Sequence, residues 1–258
     1  MNPAPAAIVL AFGLFLGVLA CLEGGYRIGR KASAGQPDRS HEGIGAIEAA
    51  VFALFGLLLG FSFGGATSRL DARREQIVRE ANAVGTAYLR LDLFPADEQP
   101  GMRHLFRRYL DTRLAMYARL PDLAAADQEL ARAEGIQREI WTRAVGVSRT
   151  GAAEQVSRLL LPALNDMMDV TTERSIALHT RLPSLILWLL VSLALMSGLL
   201  AGYAMAKRQR RSLLHGLVYA GFVAATVYAV LDLDNPRSGL IRLDAADQAI
   251  VKLRNSIP

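Results

Sequence analysis

The chain has 258 residues, of which 52% are apolar, and its mean hydropathy of +0.24 indicates a membrane protein. A single cysteine excludes an intrachain disulfide. The net charge of +5 is concentrated in two short segments beside apolar runs, so it does not form the basic face of a nucleic-acid-binding domain.

Four apolar runs are long enough to cross a membrane, because a helix rises about 1.5 Å per residue and the hydrocarbon core is about 30 Å thick. They cover residues 6–22, 49–66, 183–206 and 213–231, and none has a charge in its interior. The first run could instead be a cleaved signal, but the leading MNPAPAA lacks the Lys or Arg that a signal peptide needs. We therefore predict four transmembrane helices.

The second run does not stop at the edge of the membrane. After Thr67 and Ser68 it continues as a charged, helix-forming stretch that ends only at Pro95. This pattern predicts one long helix, or two helices joined near Gly64 and Gly65, that leads from lipid into a water-exposed body.

Small residues recur at four-residue spacing in the predicted spans, which places them on one face of a helix. The glycines that define this pattern are Gly56, Gly60 and Gly64 in the second span and Gly198 and Gly202 in the third. A face without side chains lets another backbone approach closely, which is how helices associate in lipid. We expect the second span to pack against a neighbour at the axis of an oligomer.

Two basic loops predict the orientation of the chain in the cell (inner) membrane. One lies between the first two spans, and the other is the KRQRR segment at 207–211 between the last two. Short loops rich in Lys and Arg stay in the cytoplasm, which places residues 70–182 and both termini on the external side. The arginines that follow the second span, at 69, 73, 74 and 79, favour the opposite placement.

The region 70–182 has a helical pattern throughout. Its first helix has apolar residues at seven-residue spacing: Leu70, Ile77, Val84 and Leu91. Breaks at Pro121 and at 146–151 divide the rest, Asp122 is expected to cap the helix that follows Pro121, and Pro162 is expected to kink the last helix. We predict a bundle of four amphipathic helices that buries these apolar faces.

Beyond the last span, the LDLDNPRSG segment places Asp232 and Asp234 at the surface and then forms a turn. The tail has Leu243, Ile250 and Leu253 on one face, which predicts a short amphipathic helix that lies on the bilayer or docks on the bundle. The predicted fold is all-α, with an extramembrane helical bundle between the second and third spans. Its predicted domains are 1–69, 70–182, 183–231 and 232–258.

No catalytic or metal-binding pattern is visible in the sequence. The four histidines lie in separate contexts without paired spacing, and phosphate-binding and nucleophile motifs are absent. We therefore predict that the chain is not an enzyme and uses no cofactor or metal.

The polar candidates for a functional role are Glu80, Arg90, Asn165, Asp169, Asp232 and Asp234. Asp169 shares a helix face with Asp166 and Glu173, and these three carboxylates could hold a cation. Nearby arginines favour a salt-bridged bundle surface instead, and the same interpretation applies to Glu80 and Arg90.

The order of two spans, a long helical region and two further spans resembles the bestrophin-like bacterial membrane proteins. Three passages carry the resemblance: REANAVGTAYLRLDLFP with Glu80 and Arg90, LPALNDMMD with Asn165 and Asp169, and YAVLDLDNPRSGLIRL with Asp232 and Pro236. The resemblance as a whole covers most of the chain, from about residue 49 to residue 243.

This resemblance implies a homo-oligomer in the lipid bilayer, with a pore along the shared axis, lined by the second span, and an ion as the permeating partner. The residues that would match the hydrophobic neck of bestrophins are Phe55, Leu59 and Phe63, which repeat at four-residue spacing beside the glycines. Such a ring would gate by dewetting. The alternative is a non-conducting membrane scaffold whose helical bundle binds another protein or lipid headgroups.

Overall fold

The computed structural model describes residues 3–33, 42–120, 122–149, 156–207, 213–235, 239–241 and 244–257, and every regular element in these residues is helical. The α-helices are α1 (Pro3–Ser33), α2 (Glu42–Leu89), α3 (Gln99–Arg119), α4 (Leu123–Ser148), α5 (Leu161–His179), α6 (Ser184–Lys207), α7 (Leu213–Asp234) and α8 (Asp244–Ser256). A 3-10 turn at Arg90–Leu93 follows α2, and a π-helical turn at Val156–Leu160 precedes α5. The predicted all-α fold is confirmed.

Four of these helices, α1, α2, α6 and α7, are long and apolar enough to cross a membrane, as predicted. The second is one continuous helix from Glu42 to Leu89, without a break at Gly64 or Gly65. A glycine costs a helix only about 1 kcal/mol, and no proline occurs between Pro37 and Pro95, so nothing in this stretch interrupts the helix.

The chain divides into two compact units. The membrane unit consists of Met1–Arg69 and Arg181–Leu240, and the helical unit consists of Leu70–Thr180 and Ile241–Pro258. Some of the predicted features lie outside the described residues, namely Pro121, Pro236, Leu243 and residues 208–211 of the KRQRR segment.

In the membrane unit, α1 packs against α6 and α7. The buried core between them consists of Leu14, Val18, Leu22, Phe55, Leu190, Ala194, Ala220, Val223 and Val227. Only one of these residues, Phe55, comes from α2. The membrane unit is therefore built mainly from α1, α6 and α7, and α2 contributes little to its core.

The helical unit contains the second half of α2 together with α3, α4 and α5. Its largest fully buried apolar side chains are Ile77, Leu91, Met102, Phe106, Leu110, Met116, Ile140, Leu160, Leu164 and Met167. The predicted cap is present, because the Asp122 side chain accepts a hydrogen bond from the backbone N–H of Ala125 at 3.2 Å. Pro162, where the sequence predicted a kink, lies in the first turn of α5, directly after the π-helical turn Val156–Leu160, so the helix type changes next to this proline.

The last helix, α8, packs on the bundle of the helical unit. Ile250 is 1% exposed, and Arg254 donates hydrogen bonds to both carboxylate oxygens of Asp111, at 2.6 and 3.2 Å. Leu253 lies against Gly85 of α2. Of the two placements that the sequence left open for the amphipathic tail, the structure has the docked one.

Candidate functional site

A glycine row in α2 faces away from the rest of the membrane unit. Gly56, Gly60 and Gly64 are all exposed, and a Cβ atom added to any of them would meet no atom of the described part of the chain within 4 Å. We call the surface centred on these three residues the glycine face. None of the described residues of the same chain covers it, so it is open to lipid, solvent or another protein chain.

The rest of α2 is also little covered by its own chain. Only 11% of its most apolar part is buried, against 17%, 28% and 33% for α1, α6 and α7. Large apolar side chains beside the glycine face are exposed, including Leu54, Leu57 and Phe61, whose exposed fractions are 54%, 55% and 71%. An uncovered apolar helix surface of this kind is typical of a contact with lipid or with another protein chain.

The three predicted pore-lining residues do not share one surface. Phe55 is 6% exposed and belongs to the core of the membrane unit, and Leu59 is partly buried against that core, whereas Phe63 is 45% exposed. The reason is geometric: each four-residue step passes a full helical turn by about 40°, so Phe55 and Phe63 lie about 80° apart around the axis. Phe63 therefore borders the glycine face, and Phe55 points into the chain.

The other two predicted packing glycines lie at a close contact between α6 and α1. A Cβ atom at Gly202 would collide with the backbone of Leu22, and one at Gly198 would lie 3.2 Å from the carbonyl oxygen of Val18. The matching glycines of α1 are Gly25 and Gly29, which were not predicted because they lie beyond the predicted end of the first span. A Cβ at either position would collide with the backbone of α6.

Asp234, at the end of α7, joins three segments of the membrane unit. It accepts a hydrogen bond from Nε of Arg69 at 2.8 Å and another from the backbone N–H of Leu182 at 2.8 Å. Its neighbour Asp232 accepts from the backbone N–H of Leu240, at 3.1 and 3.2 Å from the two carboxylate oxygens. Both aspartates were expected at the surface, but Asp232 is only 5% exposed and Asp234 only 4%. They are buried because each carboxylate accepts hydrogen bonds from donors of the chain itself.

The helical unit encloses a buried ion cluster, formed by Glu80 of α2, Arg113 and Tyr117 of α3, and Arg174 of α5. Arg113 donates to the Glu80 carboxylate from Nε at 2.6 Å and from Nη2 at 3.0 Å. Tyr117 donates to the same carboxylate at 2.9 Å, and Arg174 also donates to it. The exposed fractions of Glu80, Arg113 and Arg174 are only 1%, 2% and 3%, so Glu80 is not part of a bundle surface as the sequence suggested.

The electrostatics of the buried ion cluster keep Glu80 charged. Burial alone would raise the pKa of Glu80, but the charges and hydrogen bonds of Arg113 and Arg174 lower it to about 2. Burial and the negative charge of Glu80 raise the pKa of Tyr117, so this phenol stays a hydrogen-bond donor. Asp247 of α8 lies 3.9 Å from Arg174, which balances the second guanidinium. Arg113 also donates to Sδ of Met116 at 3.3 Å and to the Tyr117 hydroxyl at 3.2 Å, so the cluster links α2, α3 and α5 and stabilises the bundle.

The remaining polar candidates are not brought together with Glu80. Arg90 donates to the backbone oxygen of Leu159 at 2.6 Å, and Asn165 donates to the exposed carboxylate of Asp169 at 2.9 Å. Among the described residues, no group of three or more His, Cys, Asp or Glu side chains is placed to hold a metal ion.

Comparisons with known proteins agree with this architecture. A family model described as a Bestrophin-like domain matches residues 8–247. Two crystal structures of variants of a bacterial Bestrophin homolog from Klebsiella pneumoniae have similar folds, with TM-scores of 0.67 and 0.64 and sequence identities of 14% and 16%. Each comparison covers 95% of this chain and 97% of the other. No similar protein was found among those with curated descriptions. The resemblance inferred from the three sequence passages is confirmed.

Proposed function

The chain belongs to the Bestrophin-like family, and on this premise we propose that it is an ion channel in which several copies surround a conduit lined by the glycine face of α2. The observation that carries the proposal is the uncovered row of Gly56, Gly60 and Gly64, since these residues form the centre of the least buried membrane-spanning helix. The fold is shared with the bacterial Bestrophin homolog over 95% of this chain.

A glycine row is better suited to an assembly axis than to lipid. Lipid tails gain little contact with a surface that has no side chains, whereas another helix can approach it closely. Several copies that direct this face inward would enclose a narrow apolar passage, bordered by Phe63 of each copy. Such a passage conducts when wet and closes when water leaves it, without a moving part.

The structure changes the expected roles of the aromatic residues. Phe55 and Leu59 pack against the core of their own chain, so we assign them to holding α2 against α1, α6 and α7. Phe63 and the glycine face are then the surfaces that line the conduit. This assignment keeps the second span as the pore wall but rotates the lining surface by roughly one third of a turn.

The proposal is tested by electrical recording from the purified full chain in planar bilayers. We expect discrete currents from the wild type and strongly reduced currents from Gly60→Leu, because a leucine at this position projects into the proposed conduit. The matched control is Gly13→Leu on α1, since a Cβ at Gly13 also meets nothing within 4 Å. This control is expected to conduct like the wild type.

Two results would contradict the channel. A well-folded oligomer that is silent in bilayers would favour the membrane scaffold instead. A strict monomer, measured by light scattering in detergent after subtraction of the micelle mass, would leave no shared axis for a conduit. Equal currents from Gly60→Leu and the wild type would move the conduit away from the glycine face.

We also propose that the chain lies in the cell (inner) membrane with the helical unit outside. The support is the basic end of α1, where Arg27, Arg30 and Lys31 are exposed at the edge of the membrane unit, together with the KRQRR segment. A reporter that is active only outside the cytoplasm, fused after Pro258, is expected to be active. Activity of a cytoplasm-only reporter at the same position would reverse the orientation.

A further inference from the structure

The membrane unit contains a cavity that the proposed conduit does not use. It has a volume of about 300 Å³ and lies between the end of α1, the end of α6 and the start of α7. The residues that matter for its chemistry are Leu19, Leu22, Glu23 and Tyr26 of α1, Met205 of α6 and Leu217 of α7. Its wall is mostly apolar, with polar groups only where α1 contributes Glu23 and Tyr26.

The cavity leads toward a basic surface on the same helix. Arg30 follows Tyr26 by four residues, so it lies on the same face of α1 and about 6 Å further along the axis. Arg27 forms an ion pair with Glu23 at 2.7 Å, which leaves Arg30 and Lys31 as the excess positive charge at the end of α1. Both are exposed, and neither has an acidic partner within the described residues.

The site combines an apolar cavity with an excess of positive charge at the end of membrane-spanning helices. This combination matches a molecule that has both an apolar chain and an anionic headgroup. We propose that this cavity binds an acyl chain of an anionic phospholipid, whose phosphate pairs with Arg30 and Lys31. A neutral lipid would fill the same space but would gain nothing from the two cations. The cavity volume is at the lower end of the range for small-molecule sites, which fits part of one acyl chain and not a whole lipid.

This site is independent of the channel proposal, because none of its residues belongs to α2. A glycine in its wall provides a direct way to fill it. A Cβ at Gly216 would lie 3.6 Å from Leu22, which is ordinary contact, so Gly216→Leu directs its side chain into the cavity without a backbone collision. On the same helix, a Cβ at Gly221 meets nothing within 4 Å, which makes Gly221→Leu the matched control.

The test uses the purified full chain in a neutral detergent. It is incubated with equal amounts of phosphatidylglycerol and phosphatidylcholine that carry the same acyl chains, and the bound lipids are counted by native mass spectrometry. We expect phosphatidylglycerol to exceed phosphatidylcholine by about fivefold or more, the preference that one cation near a headgroup provides. Soluble glycerol phosphate at the same concentration is expected not to compete, because it lacks the acyl chain.

The variants separate the two parts of the site. Gly216→Leu is expected to lose bound lipid of both kinds, and Gly221→Leu to retain it. The double variant Arg30→Gln and Lys31→Gln is expected to bind the two lipids equally, and it changes only exposed side chains, so it gives a result even if Gly216→Leu fails to fold. Equal binding by the wild type, an unchanged preference in the double variant, or competition by glycerol phosphate would each overturn the proposal.

Discussion

Arg113 donates two hydrogen bonds to the carboxylate of Glu80, from Nε at 2.6 Å and from Nη2 at 3.0 Å, with both side chains almost completely buried. Because Arg174 donates to the same carboxylate, Glu80 connects α2 to both α3 and α5. Among the described residues, Glu80 is the acidic partner of Arg113, and the other acidic group near Arg174 is Asp247 at 3.9 Å, so removing the Glu80 carboxylate leaves at least one buried charge without a counter-ion.

We therefore expect Glu80→Gln to destabilise the helical unit by about 3–5 kcal/mol, the usual cost of breaking a buried ion pair from one side. The measurement is the free energy of unfolding from denaturant titration in detergent, followed by circular dichroism. The control is Glu139→Gln, because Glu139 forms an ion pair with Arg108 at 3.8 Å in which both side chains are about half exposed. An exposed pair contributes about 1 kcal/mol or less, so equal losses in the two variants would contradict the prediction.

The same cluster predicts a dependence of stability on pH. The pKa of Glu80 is about 2 in the folded chain, below its ordinary value of 4.5, so the folded state favours the ionised form. This contribution is fully present above the unfolded pKa and is lost as the pH falls from about 4.5 to about 2. We expect the stability difference between the wild type and Glu80→Gln to be constant above about pH 5 and to shrink in that window. A difference that does not change down to pH 2 would show that Glu80 is not ionised in the folded chain.

The contact between α1 and α6 predicts a strong effect of one methyl group. Gly202→Ala would place its Cβ against the backbone of Leu22, which cannot turn aside as a side chain can. We expect a loss of about 1–3 kcal/mol or more from this overpacking, seen as a lower thermal unfolding midpoint and less monodisperse protein. Gly221→Ala is the control, since its Cβ meets open space. Similar midpoints for the two variants would mean that the helices separate without cost.

Phe55 and Phe63 are expected to respond in opposite ways to truncation. Phe55→Ala removes a side chain that is 6% exposed from the core, so it should reduce stability by about 3–5 kcal/mol and leave the current through each channel near the wild-type value. Phe63→Ala should alter the current and change stability little, because this ring borders the glycine face. The two readouts are the unfolding midpoint and the single-channel current, and the reverse pattern would return Phe55 to the pore wall.

Much of the fold could be predicted because the signals are local. Apolar run lengths predicted the four spans, and the absence of proline between Pro37 and Pro95 allowed α2 to continue to Leu89. Asp122 was recognised as a cap from its position before an apolar run. Such features depend on neighbours within a few residues, and a sequence shows those directly.

The rest depends on partners far away in the chain. Glu80 is surrounded by arginines in the sequence, yet it pairs with Arg113 and Arg174, which are 33 and 94 residues away. Gly25 and Gly29 were missed because they follow the most apolar part of α1, whereas the contact with α6 continues past it. The four-residue spacing of Phe55, Leu59 and Phe63 suggested one surface. Each step of four residues exceeds a full helical turn by about 40°, so Phe55 and Phe63 lie on different sides of α2.

The glycine contact between α1 and α6 also bears on how the chain is made. About 150 residues separate the end of α1 at Ser33 from the start of α6 at Ser184. At ordinary rates of translation this interval lasts on the order of ten seconds, during which the nascent first helix has no partner for its bare surface. The ribosome must therefore synthesise the whole helical unit before α1 can pack against α6. A membrane chaperone that protects α1 would act during this interval.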